Sequence, residues 1–271
     1  MSDLLNVTRD GRIASVELDR PKFNTFNQGL LDDFSAVIRE LGADPEVSCI
    51  VIHGAGGNFS AGYDVNPASE GTLAFSAYAT PYDDWWALRD SQKRWLEVWE
   101  TPKPVISAIE GYCMGGATSL AVCTDITVVA ENAVIGWPSV PLGGGLLSPV
   151  SAWLIGPKKA KELSFIAASQ FSGAEAAAMG WANYAVPPGR ALDRALELAG
   201  RIVMMPLDLL RLKKLALNRV MDIQGFRETV LFGAEWDAIA HTSPGTTAIT
   251  DRIAEHGLRS TITWFGEGAA G

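Results

Sequence analysis

The stretch Lys103–Asp125, KPVISAIEGYCMGGATSLAVCTD, contains a buried strand, a glycine-rich turn and the start of a helix. The apolar run after Pro104 predicts a strand that is covered on both faces. Gly111, Gly115 and Gly116 follow, where missing Cβ atoms permit unusual backbone angles and close approach to the main chain. A helix that begins at Gly115 or Gly116 leaves its first N–H groups unpaired. The stretch therefore predicts a binding place for an anion or a developing oxyanion, although tight strand–helix packing would explain the glycines equally well.

A second apolar strand with a similar ending lies upstream. Val47–Gly54, VSCIVIHG, leads into the loop NFSAGYD at residues 58–64. FSAGYD followed by KPVISAIEGYCMGGA resembles the crotonase (enoyl-CoA hydratase/isomerase) superfamily, and the resemblance covers nearly the whole chain. It implies an α/β fold, a crotonase-like spiral of ββα units with a C-terminal helical region. It also implies that the N–H groups of Tyr63 and Gly116 form an oxyanion hole for the carbonyl of a CoA thioester.

The chain departs from the family pattern where proton transfer takes place. Hydratases of the family carry one glutamate three residues after the oxyanion glycine and a second one further along, in a proline-preceded turn. Ser119 and Ser139 occupy those positions here. Because an unassisted serine is no base at neutral pH, we expect ordinary hydratase activity to be weak.

Other groups are candidates for handling protons. Asp64 is a possible acid/base, although the family pattern more often gives it a structural role. Glu110, Asp83 and Asp84 also lie on or near the motif loops. The three histidines, His53, His241 and His256, show no triad-like spacing to a serine or an aspartate.

The resemblance also implies positions that contact the substrate. The loop after Arg20-Pro21 is expected to meet the adenine and pyrophosphate of CoA, with Lys22 either as its charged contact or as an ordinary solvated lysine. The expected substrate-contacting residues are Lys22, Phe23, Ala61, Gly62, Asp64, Val65, Gly115 and Trp137.

Three functions remain open from the sequence. The first is an enzyme of enoyl-CoA hydratase/isomerase descent with unconventional proton handling. The second is a hydrolase of the same scaffold that cleaves a thioester or a C–C bond, and the third is a non-catalytic acyl-CoA-binding protein. Coenzyme A enters as part of the substrate, and no metal or other cofactor is expected. GYCMGGA does not match GxGxxG, and the chain has no Walker A pattern.

Composition excludes some classes of partner and compartment. The chain has 271 residues, 48% hydrophobic content and a net charge of −9, which disfavours binding to nucleic acid. Three cysteines lie in apolar runs without metal-ligand spacing and are expected to be reduced core residues. The N-terminal residues show no signal-peptide pattern. Proline and glycine interrupt the apolar stretch that would otherwise be long enough for a membrane helix. We expect a cytoplasmic protein.

Periodicity divides the chain into a core and a helical end. Segment 82–100 predicts a tryptophan-rich helix that either lines an acyl pocket or simply buries apolar area. Residues 1–190 are predicted to form the ββα-spiral, acyl-CoA-binding core, and residues 191–271 a C-terminal helical region for oligomerisation and closure over the ligand. Its apolar content predicts a homotrimer or a dimer of trimers. The buried positions predicted for one of its helices include Leu207, Leu210, Leu215 and Val220.

Overall fold

Two sheets form the centre of the protein in the computed structural model, which describes residues 4–66, 68–74, 78–136, 142, 150–166 and 169–267. The larger sheet has the order β1-β2-β3-β4-β6-β9, and the smaller one the order β5-β7-β8. Strands of the larger sheet are β1 (Leu5–Asp10), β2 (Ile13–Leu18), β3 (Cys49–Gly54), β4 (Val105–Ile109), β6 (Ile126–Ala130) and β9 (Tyr184–Val186). Those of the smaller sheet are β5 (Tyr112–Met114), β7 (Val134–Gly136) and β8 (Gln170–Ser172).

Parallel pairing dominates the larger sheet. Only β1 and β2 pair antiparallel, around the tight turn at Gly11, whereas β2, β3, β4, β6 and β9 are joined in parallel. Parallel strands need crossover connections, and the helices supply several of them. The expected hairpin is confirmed, as is the buried strand after Pro104, all five residues of which are buried.

Helices surround the two sheets. They are α1 (Gln28–Ala43), α2 (Pro81–Glu100), α3 (Gly116–Val122), α4 (Ser151–Ile155), α5 (Pro157–Phe165), α6 (Gly173–Ala178), α7 (Ala191–Ile202), α8 (Leu207–Ile223), α9 (Phe226–His241), α10 (Pro244–His256) and α11 (Leu258–Gly266). In the described part of the chain, no helix is both long and apolar enough to cross a membrane.

The core lies on both faces of the larger sheet. On one face, α1, α2 and α3 cover a large apolar cluster that includes the fully buried Phe34 and Trp95. On the other face, α7 packs against β3, β4 and β6 through small side chains such as Ala195 and Ala199. The proposed domain boundary at residue 190 stays a prediction, and α7 immediately after it lies on the sheet.

Helix α2 begins where its residues suggest. Thr80 accepts a hydrogen bond from the N–H of Asp83 as the N-cap, and Pro81 occupies the first turn. Its C-terminal half is buried, with Trp95 and Trp99 in the core, whereas Trp86 is half exposed. The tryptophans therefore do not share one role, because only those in the C-terminal half are core residues.

Helix α8 turns a different face inward from the one predicted. Its buried residues are Leu210, Lys214 and Asn218, whereas Leu215 and Val220 are each 53% exposed. The prediction that these two side chains are buried is therefore wrong. Leu215 and Val220 therefore belong to an apolar stripe of α8 that faces outward.

A buried lysine explains the orientation of α8. Lys214 Nζ lies 2.8 Å from a carboxylate oxygen of Asp125 and donates to the carbonyls of Val98 and Lys103 at 3.2 and 3.0 Å. An ion pair with further hydrogen bonds offsets the cost of burying the charge. The polar i, i+4 pair Lys214 and Asn218 thus faces the core, and the leucines face away from it.

Some elements were missed by the sequence interpretation. The turn that contains Gly111–Gly116 includes the short strand β5, and β8 and α10 were also not predicted. All three cysteines are free and buried, as expected.

Candidate functional site

The two glycine-bearing loops are joined by main-chain hydrogen bonds. The N–H of Ser60 donates to the carbonyl of Tyr112 at 2.8 Å, and the N–H of Met114 donates to the carbonyl of Ser60 at 3.1 Å. The Ser60 hydroxyl, fully buried, donates to the carbonyl of Asn24 at 2.7 Å. The loop after β3 is thus fastened both to β5 and to the segment before α1, and we call this junction the glycine corner (residues 60–64 and 111–116).

Pairing with Phe26 orients the peptide groups around Tyr63. The N–H of Phe26 donates to the carbonyl of Gly62, and the N–H of Asp64 donates to the carbonyl of Phe26, both at 2.8 Å. These bonds use the groups on either side of Tyr63, so the N–H of Tyr63 itself points away from Phe26. Within the described residues it has no hydrogen-bond acceptor.

Close contact between Gly62 and the start of α3 completes the corner. Gly62 has φ +90°, and a Cβ placed on it would lie 2.5 Å from the carbonyl oxygen of Met114 and 3.3 Å from the nitrogen of Gly116. Only glycine permits this approach. Gly116, the first residue of α3, likewise has an N–H without an acceptor among the described residues. Two unpaired main-chain donors, Tyr63 and Gly116, therefore belong to loops in direct contact.

The side chain of Tyr63 lies against Gly116. A Cβ on Gly116 would come within 2.6 Å of the Tyr63 ring. The phenol oxygen accepts a hydrogen bond from Trp95 Nε1 at 3.0 Å, and burial raises the pKa of Tyr63. Tyr63 is thus a neutral, fixed wall of the corner at physiological pH.

Asp64 makes a structural contact. Its carboxylate pairs with Arg20 at 2.6 Å, with the two side chains 10% and 17% exposed, and it also accepts from the N–H of Asn66 at 3.1 Å. Both carboxylate oxygens are therefore engaged. Asp64, the sequence candidate for acid/base chemistry, is the last residue of the first corner loop, and its side chain is tied to the Arg-Pro loop through Arg20.

Other candidate carboxylates are also engaged. Glu110 accepts hydrogen bonds from the N–H groups of Gly189 and Ala191 at 3.1 and 2.9 Å, which places it as a cap at the start of α7. Asp83 accepts from the hydroxyl of Thr80 at the start of α2. Neither carboxylate belongs to the glycine corner.

The serine at the first glutamate position lies close to the corner. Ser119 is three residues after Gly116 on α3, and it is 7% exposed. Ser139 and Trp137, the other two positions named from the sequence on this side, lie outside the described residues.

The expected substrate-contacting residues that the structure describes belong to the corner, to Val65 directly after it, or to the Arg-Pro loop. Lys22 is exposed, and Phe23 and Val65 are 44% and 38% exposed. The N–H of Ala61 donates to the carbonyl of Phe23 at 2.9 Å, which draws the Arg-Pro loop against the corner. Gly115 has φ +50° and open space where a Cβ would project. Two exposed apolar side chains, Phe23 and Val65, and the open side of Gly115 are thus found in the corner or in segments joined to it.

Sequence reasoning missed the pair that Asp84 and His241 form. His241 Nδ1 lies 2.7 Å from Asp84 Oδ2, between α9 and α2. The two residues are 157 positions apart, so no local spacing reveals them. In contrast, His53 lies 3.9 Å from Glu17 on neighbouring strands, and burial lowers the pKa of His53. No group of three or more metal-ligating side chains occurs among the residues described.

A family profile with the description "Enoyl-CoA hydratase/isomerase" matches residues 8–232, which include both loops of the corner. The chain belongs to this family. Its fold is the crotonase fold, a mixed α/β architecture with helices at the C-terminal end.

Relatives within the family agree over most of the chain. The short-chain-enoyl-CoA hydratase of Clostridium acetobutylicum is 33% identical over 221 residues, covering 79% of this chain and 80% of the relative. The carnitinyl-CoA dehydratase of Salmonella enteritidis PT4 is 32% identical over 222 residues, with coverages of 79% and 80%. A solved structure from Novosphingobium aromaticivorans DSM 12444, provisionally named an enoyl-CoA hydratase/isomerase, is 36% identical, with a TM-score of 0.89 and coverages of 96% and 94%.

Proposed function

We propose that this protein binds an acyl-CoA or enoyl-CoA thioester with the thioester oxygen between the N–H groups of Tyr63 and Gly116. The observation that carries the proposal is that these two donors lack acceptors among the described residues and belong to loops in contact. Membership of the enoyl-CoA hydratase/isomerase family supports a CoA thioester as the ligand.

Two fixed donors would act on the thioester by stabilising negative charge on its oxygen. When a proton leaves the α-carbon, or a nucleophile adds to the conjugated C=C bond, electrons move onto the carbonyl oxygen and an enolate forms. Main-chain donors held by neighbouring hydrogen bonds need no reorganisation as that charge develops. One such donor is typically worth about 10²- to 10³-fold in rate.

Proton transfer distinguishes this chain from ordinary hydratases in our proposal. Ser119 and Ser139 stand where family hydratases carry glutamate, and a hydroxyl only donates or accepts hydrogen bonds at neutral pH. The Clostridium and Salmonella relatives are named for adding or removing water. We therefore propose a lyase or isomerase of that descent with weak hydratase activity, and keep a hydrolase of the same scaffold and a non-catalytic binder as competing functions.

One experiment separates these functions. The protein is incubated with a panel of saturated, enoyl and aryl acyl-CoA thioesters, and the products are followed by mass spectrometry while binding is measured by calorimetry. Turnover to a hydrated or isomerised thioester supports the lyase or isomerase, and release of free CoA supports the hydrolase. Micromolar binding without turnover supports the binder, and absence of binding to every thioester contradicts the proposal as a whole.

A pair of substitutions tests the oxyanion assignment. Gly116→Pro removes the N–H, and proline is well tolerated at the first position of a helix. It also adds a Cβ, which the Tyr63 ring would meet, so Gly116→Ala serves as the control that adds the Cβ and retains the N–H. We expect turnover to fall about 10²-fold or more from the alanine to the proline variant. Equal turnover in the two folded variants would contradict the assignment.

The exposed apolar side chains of α8 support self-association. Leu212, Leu217 and Ile223 are 63%, 69% and 72% exposed, more apolar surface than one helix usually shows to water. We propose that this helix lies in the interface of a homotrimer or a dimer of trimers. Light scattering should give a trimeric or hexameric mass at micromolar concentration, and a stable monomer would contradict this part.

A further inference from the structure

The side chain of Tyr63 bridges the two main-chain donors of the glycine corner. The main chain of Tyr63 carries one donor, and the far end of its ring lies against Gly116, which carries the other. A Cβ on Gly116 would lie 2.6 Å from Cζ of Tyr63, and 2.7 and 2.9 Å from the two Cε atoms. The phenol end of the ring thus occupies the space beside the Gly116 main chain, and Gly116 cannot move toward Tyr63 without meeting it.

Trp95 holds the phenol end of that ring in place. Its indole Nε1 donates to the phenol oxygen at 3.0 Å, and the two ring planes are inclined by only 26°. Because a buried donor without an acceptor costs free energy, Trp95 favours the ring position that supplies the oxygen. The other end of Tyr63 is fixed by the main-chain bonds on either side of it to Phe26. Both ends of the Tyr63 residue are therefore held.

The core in turn holds Trp95. This residue of α2 is 0% exposed, and its ring centroid lies 4.9 Å from that of Phe26 and 5.9 Å from that of Phe34. Both phenylalanines are fully buried. Close-packed interiors transmit a displacement instead of absorbing it. A change at Trp95 should thus be passed through the Tyr63 ring to Gly116.

We propose, on the basis of the thioester-binding function above, that the Tyr63 ring and Trp95 set the separation of the two donors. The ring is the spacer between them, and Trp95 is a positioning residue that acts through the phenol oxygen. Donors stabilise an oxyanion best at about 2.7–3.1 Å from it, and a misplacement of about 1 Å can cost about 10²-fold in rate. Substitution of either side chain leaves both N–H groups present, so its effect on the thioester would come from their position.

Infrared spectroscopy of a bound thioester tests the proposal without requiring turnover. Butyryl-CoA and octanoyl-CoA, isotopically labelled at the thioester carbonyl, serve as probes. A hydrogen bond to the carbonyl oxygen weakens the C=O bond, so binding to the unmodified protein should lower the stretching frequency. In Tyr63→Leu and Trp95→Phe we expect this shift to shrink to about half or less, because the donors no longer converge on one oxygen.

Trp99→Phe is the matched control for Trp95→Phe. Trp99 lies one turn further along α2 and is 8% exposed, and its Nε1 donates to Asp222 at 3.2 Å. The substitution therefore also removes a tryptophan hydrogen bond from the same helix, and it should lower the unfolding temperature by a similar amount. It should leave the carbonyl shift of the bound probe unchanged.

Tyr63→Phe separates the ring from its oxygen. The ring remains beside Gly116, so the carbonyl shift should fall less than in Tyr63→Leu. Because Trp95 acts through the oxygen, Tyr63→Phe combined with Trp95→Phe should lose about as much of the shift as Trp95→Phe alone. A loss in the double variant equal to the sum of the two single losses would overturn the role of Trp95.

Kinetics adds a second measurement for any thioester that the protein converts. Stabilisation of an enolate oxygen matters more in the transition state than in the bound substrate. In Tyr63→Leu we therefore expect kcat to fall about 10-fold or more, while KM changes by about threefold or less. An increase in KM at constant kcat would assign the ring to substrate binding alone and would contradict the spacer.

The remaining outcomes are distinct. An unchanged carbonyl shift in folded Tyr63→Leu and Trp95→Phe overturns the inference and leaves the thioester-binding function standing. Equal reductions in Trp95→Phe and Trp99→Phe assign Trp95 to core stability and also overturn it. If the leucine variant does not fold, Tyr63→Phe decides, and a shift equal to that of the unmodified protein overturns the inference. Failure of every thioester to bind, or a bound probe without any shift in the unmodified protein, contradicts the proposed function itself.

Discussion

The glycine corner and the contact between α2 and α9 are held together by different parts of the chain. Main-chain hydrogen bonds join the loops of the corner, and Gly62 permits their contact by lacking a side chain. The contact between α2 and α9 instead includes a pair of side chains from distant positions, Asp84 and His241. Main-chain geometry survives most substitutions, whereas a contact between side chains changes with each residue in it.

This difference predicts how each region responds to substitution. The proposed donors of the corner are main-chain groups, and the carbonyl oxygen is the same in all thioesters, so loss of a donor should affect every thioester alike. Replacing a side chain between α2 and α9 should remove only the contacts of that side chain.

The largest effect we expect concerns crotonyl-CoA, which the corner alone should polarise but not hydrate well. Two missing acid–base groups, each worth about 10²- to 10⁴-fold, predict hydration several orders of magnitude below that of a two-glutamate enzyme. Ser119→Glu combined with Ser139→Glu should recover part of this loss in a spectrophotometric assay. Ser119→Gln with Ser139→Gln is the size-matched control and should recover none.

An ordinary turnover would refute that prediction. If the unmodified protein hydrates crotonyl-CoA with a kcat of about 10 s⁻¹ or more, another group performs the proton transfer. Asp64 and Glu110 are then the first candidates to replace.

The next largest effect tests how closely the two loops of the corner pack at Gly62. Gly62→Ala would place a Cβ 2.5 Å from the carbonyl oxygen of Met114 at a φ of +90°. We expect the free energy of unfolding to fall by about 3 kcal/mol or more, because backbone on both sides must move. Gly56→Ala is the matched control, with φ +64° and nothing within 4 Å of the added Cβ, and should cost about 1 kcal/mol. If chemical denaturation gives the same loss of unfolding free energy for Gly62→Ala and Gly56→Ala, the contact between Gly62 and Met114 is not tight.

The same contrast explains what the sequence could predict. Glycines with apolar strands around them carry a local signal, and the strands predicted before the two corner loops are present as β3 and β4. Strong helical periodicity likewise predicted α1, α2, α7 and α9. The short strand β5 was missed because three residues between glycines have no period of their own.

Features that depend on distant partners could not be predicted in the same way. The inward face of α8 is decided by Lys214, whose partner Asp125 lies 89 residues away. The Asp84–His241 pair arises only when α2 and α9 pack together. Leucine-rich periodicity is the wrong guide for α8, because a buried lysine with three partners outweighs the apolar face that remains outside.

A smaller effect tests whether Asp64 supports the corner or takes part in chemistry. Asp64→Asn leaves Arg20 without its carboxylate in a largely buried site, and we expect a loss of about 3 kcal/mol in stability. Asp90→Asn, which breaks a pair with Arg94 at a 46% exposed carboxylate, should cost about 1 kcal/mol or less. Turnover per folded molecule should change little in either variant. A 10²-fold loss of turnover in folded Asp64→Asn would instead identify Asp64 as an acid/base.

The smallest effect we expect is a change in the pH dependence of stability, and it involves His53 on β3 of the larger sheet. Burial lowers the pKa of His53 below its usual value, an effect that exceeds the opposing influence of Glu17. Between the folded and unfolded pKa values the unfolded chain binds more protons, so stability rises with pH there and is lost as pH falls from about 6.5. One proton limits this slope to about 1.4 kcal/mol per pH unit.

Denaturation curves between about pH 5 and 7 should therefore show a flatter pH dependence for His53→Gln than for the unmodified protein. His256→Gln, which replaces a half-exposed histidine, is the control for losing a histidine as such. A slope that is unchanged in His53→Gln would mean that His53 is equally easy to protonate in both states.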